Sequence, residues 1–297
     1  MNRESFQGTP LPPEIPKTPN PPDGAILDYY LKSAASEVTL EILDSKNQIV
    51  RRYSSNETPS PSKRRQVVAD IWVVSPPRLT AHAGMNRFVW DLRYSIAAAA
   101  GEADDEYGMA AQGPQVLPGT YQVRLTVAGK QYSEPLIVVL DPRSTGTPAD
   151  LAQQRDLAVK VAQQMAVCVQ LTRQGAELRK QLADVKKTIS DAALVSQIAA
   201  VEGDADKIFG ASGGWDTNNS GSGIGAVLLD LAAVNGVVDS ADRTPPAPAN
   251  ALYEQASAAL ASHLAAWEAL KNGKLGDLNR ALREKKLKEI DLKAEGR

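Results

Sequence analysis

The spacing of hydrophobic residues along the chain changes near residue 143. Before that point, short segments alternate between apolar and polar side chains, which is the pattern of strands with one buried face. After it, apolar residues recur every three or four positions, as in amphipathic helices. The sequence therefore predicts an α+β chain with a β-domain over residues 25–143 and an α-helical domain over residues 147–297. Residues 1–24 are rich in proline and lack periodicity, so they predict an extended linker.

Six or seven short strands are predicted in the first half, over 25–31, 37–43, 48–53, 67–74, 86–93, 118–127 and 130–140. Turn-forming residues separate the second strand from the third and the last two strands, so both pairs predict hairpins. In the segment 86–93, Phe88, Trp90 and Leu92 share one face, which is expected to be buried. The polar residues Arg87, Asp91 and Arg93 mostly share the opposite face. Short alternating strands of this number predict an antiparallel β-sandwich of immunoglobulin-like type.

The second half begins with a strong helix start at Thr147-Pro148-Ala149-Asp150, where threonine caps the helix and proline occupies its first turn. Apolar spacing extends this helix to Thr188, with a possible kink at Gly175. Further helices are predicted over 191–208, 224–240, 249–271 and 275–290. Since the connections are short, the helices are expected to form an antiparallel α-helical bundle.

Composition restricts the classes of function. The 297 residues carry a net charge of −2, which gives no general attraction to nucleic acid or to an anionic membrane. No apolar stretch approaches the ~18 residues that suggest a transmembrane helix. We therefore expect no nucleic-acid partner and no membrane span. A single cysteine, Cys168, excludes an intrachain disulfide and leaves the cellular compartment open.

Motifs for catalysis are missing from the sequence. The two histidines, His82 and His263, are far apart and have no metal-ligand spacing. There is no nucleophile elbow and no phosphate-binding glycine loop. Cys168 lies between two valines in the middle of a predicted helix, so it is expected to be a buried hydrophobic residue. We expect no catalytic residues and no cofactor in this chain.

An acidic loop is the one candidate metal site. Asp104, Asp105 and Glu106 are adjacent in a polar segment, which favours a solvated loop and leaves a weak calcium site as the alternative.

Aromatic residues are the candidates for ligand binding. Trp215 lies in a loop of glycine, serine and asparagine, while Tyr29 and Tyr94 lie in the β-domain. Each is either a contact for a glycan or peptide, or a residue that packs against the protein's own core.

Five stretches carry a resemblance to a known family: PPDGAILDYYL (residues 21–31), EVTLEILD (37–44), GMNRFVWDLRY (84–94), PGTYQVRLTV (118–127) and DPR (141–143). They resemble the region that follows the propeller in bacterial sortilin-like proteins, which have neuraminidase-type (BNR) repeats and are often labelled glycosyl hydrolases. The hairpin of residues 37–53 and the strand 118–127 are also similar to the immunoglobulin-like domain of flagellar hook-capping proteins.

This resemblance implies a non-catalytic structural or interaction region whose partner is its own upstream propeller. Two alternatives stay open: a glycan- or peptide-binding module, and part of a sialidase-like glycosyl hydrolase whose active site lies in a propeller that this chain lacks. The resemblance also implies a secreted or periplasmic protein. Residues 1–24 have no apolar signal-peptide core, so we expect the chain to belong to something longer.

Overall fold

A computed structural model of the chain describes residues 22–57, 78–95, 113–210 and 222–292. Within these ranges the fold is α+β, with the strands first and the helices after them, as predicted. The strands are β1 (Ala25–Leu31), β2 (Val38–Leu43), β3 (Ile49–Ser54), β4 (Gly84–Trp90), β5 (Gly119–Val127) and β6 (Lys130–Val138). The predicted strand 67–74 lies outside the described residues.

The described strands form two antiparallel sheets. One sheet pairs β1 with β4, and the other has the order β3-β2-β5-β6. Both predicted hairpins, β2–β3 and β5–β6, are confirmed. The first turn is fixed by the carboxylate of Asp44, which accepts hydrogen bonds from the backbone N–H groups of Lys46 at 2.8 Å and Gln48 at 2.9 Å. In the second turn Ala128 and Gly129 both have positive φ, at 48° and 78°, as a tight hairpin turn requires.

A single hydrophobic cluster contains residues from both sheets. Its fully buried members include Ile42 of β2 and Phe88 and Trp90 of β4, which are at most 1% exposed. Tyr121 of β5 contacts Trp90 edge to face, with ring centroids 5.8 Å apart. The predicted inward-facing residues of β2 and β4 are therefore in the core. Burial of these large side chains is the main force that holds the strands together.

The expected position of Arg93 on the solvent face is wrong. β4 ends at Trp90, and Leu92 has a positive φ of 58°, which breaks the alternation of the strand. The residue after this turn points the other way from the extrapolated pattern, so Arg93 is only 5% exposed.

The helices are α1 (Pro148–Thr188), α2 (Ala192–Phe209), α3 (Gly223–Val238), α4 (Ala247–Leu270) and α5 (Gly276–Glu284), with a π-helical turn at Lys271–Leu275. The predicted cap of α1 is confirmed: the hydroxyl of Thr147 accepts from the backbone N–H of Asp150 at 3.2 Å, and the Asp150 carboxylate accepts from that of Thr147 at 2.9 Å. The helix continues through Gly175. A Cβ there would lie 2.6 Å from the ring of Phe209, so this glycine makes room for an aromatic residue rather than a kink.

The last helix is shorter than predicted. α5 ends at Glu284, and Lys286 has a left-handed φ of 55°. The N–H of Leu287 then donates to the carbonyl of Leu282 at 2.9 Å, which closes the helix end. No helix in the described ranges combines the length and the apolar character that crossing a bilayer requires.

The described residues form two compact units. The first comprises 22–57, 78–95, 113–159 and 237–245; the second comprises 160–210, 222–236 and 246–292. All six described strands belong to the first unit. The change from strands to helices falls between Val138 and Pro148, while the first unit continues to residue 159. The predicted domain limits stay a prediction.

Candidate functional site

The first unit contains a cleft of about 290 Å³. Its walls come from the residues before β1, the turn after β4, the segment 115–118, the end of β6, the first turns of α1 and the segment 238–242. Segments distant in sequence thus meet at one place, which makes the cleft the best candidate site in the described part of the chain.

The turn after β4 forms one wall of the cleft, and its residues fix each other. The indole N–H of Trp90 donates to the carbonyl of Arg93 at 3.1 Å, and the Asp91 carboxylate accepts from the backbone N–H of Arg93 at 3.2 Å. Gly24 lies against this turn, because a Cβ there would lie 2.2 Å from the carbonyl oxygen of Trp90. The sequence WDLR therefore encodes a rigid turn that directs the Arg93 side chain.

Arg93 is the buried charge of the cleft. Its Nη1 donates to the carbonyl of Gly113 at 2.9 Å and to Oδ1 of Asp239 at 3.0 Å, while Nη2 donates to Oδ2 of Asp239 at 2.7 Å. The side chains are 6% and 19% exposed. Such a two-pronged pair satisfies a buried guanidinium. It joins the strand turn to the segment that follows α3.

Other polar groups of the cleft are also used within the protein. The Gln154 amide donates to the carbonyls of Val238 at 2.5 Å and Ala241 at 3.0 Å. Asp141 accepts from the Arg143 guanidinium at 2.6 Å, and this bond holds the pKa of the Asp141 carboxyl well below its usual range. The Asp141 carboxyl therefore stays ionised at neutral pH, and the Gln154 amide is held by partners within the protein.

Seven carboxyl groups in the described ranges have a pKa below its ordinary value. Their main cause is a side-chain hydrogen bond, which comes from arginine or lysine except at Asp150, where Thr244 donates it. These groups are Asp28, Asp141, Asp150, Asp184, Asp191, Asp204 and Glu289. A catalytic acid needs the opposite shift, since it must hold its proton near neutral pH.

The predicted ligand-binding tyrosines are half-buried, and neither lines the cleft. The Tyr29 hydroxyl donates to the carbonyl of Thr80 and accepts from its N–H at 3.1 Å. The Tyr94 side chain packs against the core of the strands, and its carbonyl accepts from Arg51 at 3.0 Å. Both tyrosines thus make contacts within the protein. Trp215 lies outside the described residues, as do Asp104, Asp105 and Glu106.

Metal-ligating side chains do not cluster in the described ranges: no three His, Cys, Asp or Glu residues there are arranged to hold an ion. Cys168 is fully buried, as predicted, and burial raises the pKa of its thiol to about 12. A thiol in this state is not a nucleophile.

Arg93 and Asp239 were missed from the sequence. They are 146 residues apart, so no local pattern connects them. The available signal was the run WDLR, in which a tryptophan and an aspartate precede an arginine at the end of a strand. Comparisons with protein-family models, with curated proteins and with solved structures gave no match.

Proposed function

We propose that this chain is a non-catalytic structural and interaction region, built as an immunoglobulin-like β-sandwich followed by an α-helical bundle. The observation that supports it best is the state of the cleft. Its buried charge, Arg93, uses its hydrogen bonds on Asp239 and Gly113, which are both part of the protein. Because the charged group of the cleft is bonded to the protein's own backbone and side chains, it stabilises the fold and is not directed at a ligand.

The sandwich is supported by the shared core of the two sheets. Phe88 of β4 and Tyr53 of β3 belong to different sheets, yet their ring centroids are 4.5 Å apart. Antiparallel sheets with a common apolar core are the defining feature of such sandwiches.

The bundle is supported by side-chain contacts in the second unit. The Gln164 amide donates to the hydroxyls of Tyr253 at 3.1 Å and Ser257 at 2.8 Å, so α1 lies beside α4. Further along the same two helices, the Trp267 indole donates to the Gln174 side chain at 3.0 Å. Both contacts advance in the same direction along the two helices, so α1 and α4 run parallel over several turns.

The antiparallel neighbour of α1 is α2, where Arg179 donates to Asp206 and Lys186 donates to Glu202, each at 3.0 Å. The expectation of an antiparallel bundle therefore holds for α1 with α2 and fails for α1 with α4.

The proposed partner is a propeller domain of the same protein in a secreted or periplasmic setting. This part of the proposal rests on the resemblance of residues 21–31, 84–94 and 118–127 to the post-propeller region of sortilin-like proteins.

The experiment is to purify the full chain and to measure its thermal unfolding by circular dichroism, together with turnover on panels of glycosides and peptides. We expect cooperative unfolding and no turnover. An unfolded chain would remove the idea of an autonomous structural region. Turnover that disappears on substitution of a single carboxylate would show that the chain is an enzyme.

A glycan- or peptide-binding module is the second candidate. Tyr132 of β6 favours it, because this aromatic side chain is 58% exposed on an edge strand, where a sugar ring or peptide can stack on it. Binding on a glycan array or to a peptide library that Y132A abolishes would support this candidate. Empty screens with the wild-type chain would count against it.

A further inference from the structure

The sheet formed by β1 and β4 has an exposed face, which we name the β1–β4 outer face. It consists of three pairs of opposite residues: Ile26 with Val89, Asp28 with Arg87, and Tyr30 with Met85. The alternate pairs of the same strands point into the core, as Phe88 and Trp90 show.

Large apolar side chains are unusually exposed on this face. Tyr30 is 65% exposed, Met85 is 70% exposed and Ile26 is 46% exposed. Tyr30 and Met85 lie directly opposite each other, so they form a continuous apolar area at one end of the sheet. Exposed apolar side chains that are adjacent, rather than scattered, are typical of interaction sites.

An ion pair occupies the centre of the same face. The Arg87 guanidinium donates to both carboxylate oxygens of Asp28, at 2.8 and 2.9 Å. This pair is the fourth of the seven residue pairs that join the strands. The face therefore has no net charge, because the negative charge of Asp28 on β1 is balanced by the positive charge of Arg87 on β4.

The arrangement is complementary to itself. Two copies can be stacked face to face with a two-fold axis between them that runs parallel to the strands. This axis places β1 of one copy over β4 of the other, and it keeps each pair of opposite residues at the same position along the strands. Asp28 of one copy then lies over Arg87 of the other, and Tyr30 lies over Met85. Opposite charges meet and apolar groups meet, as a symmetric interface requires. An axis across the strands would instead place Asp28 over Asp28.

We infer that the β1–β4 outer face binds the same face of a second copy of this chain. Stacked sheets lie ~10 Å apart, a distance that side chains such as tyrosine and methionine can fill from both sides. Two strands of seven residues are only ~23 Å long, so the contact is smaller than the ~800 Å² per partner of a standard stable interface. The dimer is therefore reversible and depends on concentration. This inference needs no propeller, so it and the proposed function can fail separately.

Sedimentation equilibrium of the full chain at increasing concentration tests the interface. The wild-type chain is expected to change from monomer to dimer. D28R and R87D each place like charges against each other across the interface, so each variant alone should associate more than about tenfold more weakly than wild type. Y30S should also weaken association, because it removes the apolar contact with Met85.

Mixing the two charge variants gives the decisive result. In a mixed dimer, the side chain introduced by D28R in one chain would face the side chain introduced by R87D in the other, and these two carry opposite charges. The unchanged Arg87 of the first chain would likewise face the unchanged Asp28 of the second. We therefore expect D28R and R87D to associate with each other more strongly than either variant associates with itself.

The control is K187D, which changes a lysine that is 74% exposed on α1 and should associate like wild type. A monomeric wild-type chain, charge variants that associate like wild type, or a mixture that stays monomeric would each overturn the inference.

Discussion

Replacing Asp239 with alanine removes the carboxylate that accepts two of the hydrogen bonds of Arg93. The guanidinium is 6% exposed and would retain the bond to Gly113. Two lost bonds to a charged group at about 1.5 kcal/mol each predict a destabilisation of about 3 kcal/mol. That is the lower end of the range of about 3–5 kcal/mol for breaking a buried ion pair. The lower end is expected because Asp239 is 19% exposed, so water can replace part of its contact.

Urea unfolding of D239A, R93M and the double variant measures this effect as a shift in the transition midpoint at constant slope. R93M leaves the more exposed Asp239 without its partner, so it should cost less than D239A. The double variant should cost clearly less than the sum of the two, with a coupling of about 1 kcal/mol or more. D184A removes an exposed pair with Lys187 and should cost less than about 0.5 kcal/mol. A loss below about 1 kcal/mol for D239A, or additive effects, would refute the structural role of the pair.

Three further predictions concern the second unit. G175A should destabilise the second unit by about 1–3 kcal/mol, because the new Cβ would clash with Phe209. G203A should stabilise α2 by about 0.5–1 kcal/mol, because its Cβ meets open space. Thermal unfolding measures both changes, and equal effects would contradict the packing argument. Cys168 should not react with a thiol reagent at mildly alkaline pH until urea unfolds the chain, and labelling of the folded protein would contradict its burial. Burial lowers the pKa of His263 below its ordinary value of 6.5, so the folded state binds fewer protons, and the stability this residue contributes above pH 6.5 is lost as the pH falls through the folded pKa. H263Q should flatten this dependence in melting curves, and an unchanged dependence would exclude the residue.

Local patterns determined the elements of this fold. Alternation in β2 and β5, the turn residues after each of them, and the capping residues of α1 are all interactions between neighbours in sequence. They therefore could be predicted from the sequence, and the structure confirms both hairpins and the start of α1. The exposure of Tyr132 could not be predicted, because it depends on whether another part of the fold covers β6 and not on the residues of β6 themselves.

The tertiary structure decided the site and the outer surface. β1 and β4 are separated by more than fifty residues, and only their pairing places Asp28 beside Arg87 and Tyr30 beside Met85. Arg93 was expected in solvent, because alternation was extrapolated beyond the point at which Leu92 takes a left-handed backbone. Its partner, Asp239, is distant in sequence. The ion pair can stabilise the buried Arg93 only after folding has brought the two segments together. Sequence alone therefore determined which segments are strands and helices, and tertiary packing determined which of their polar residues are paired or exposed.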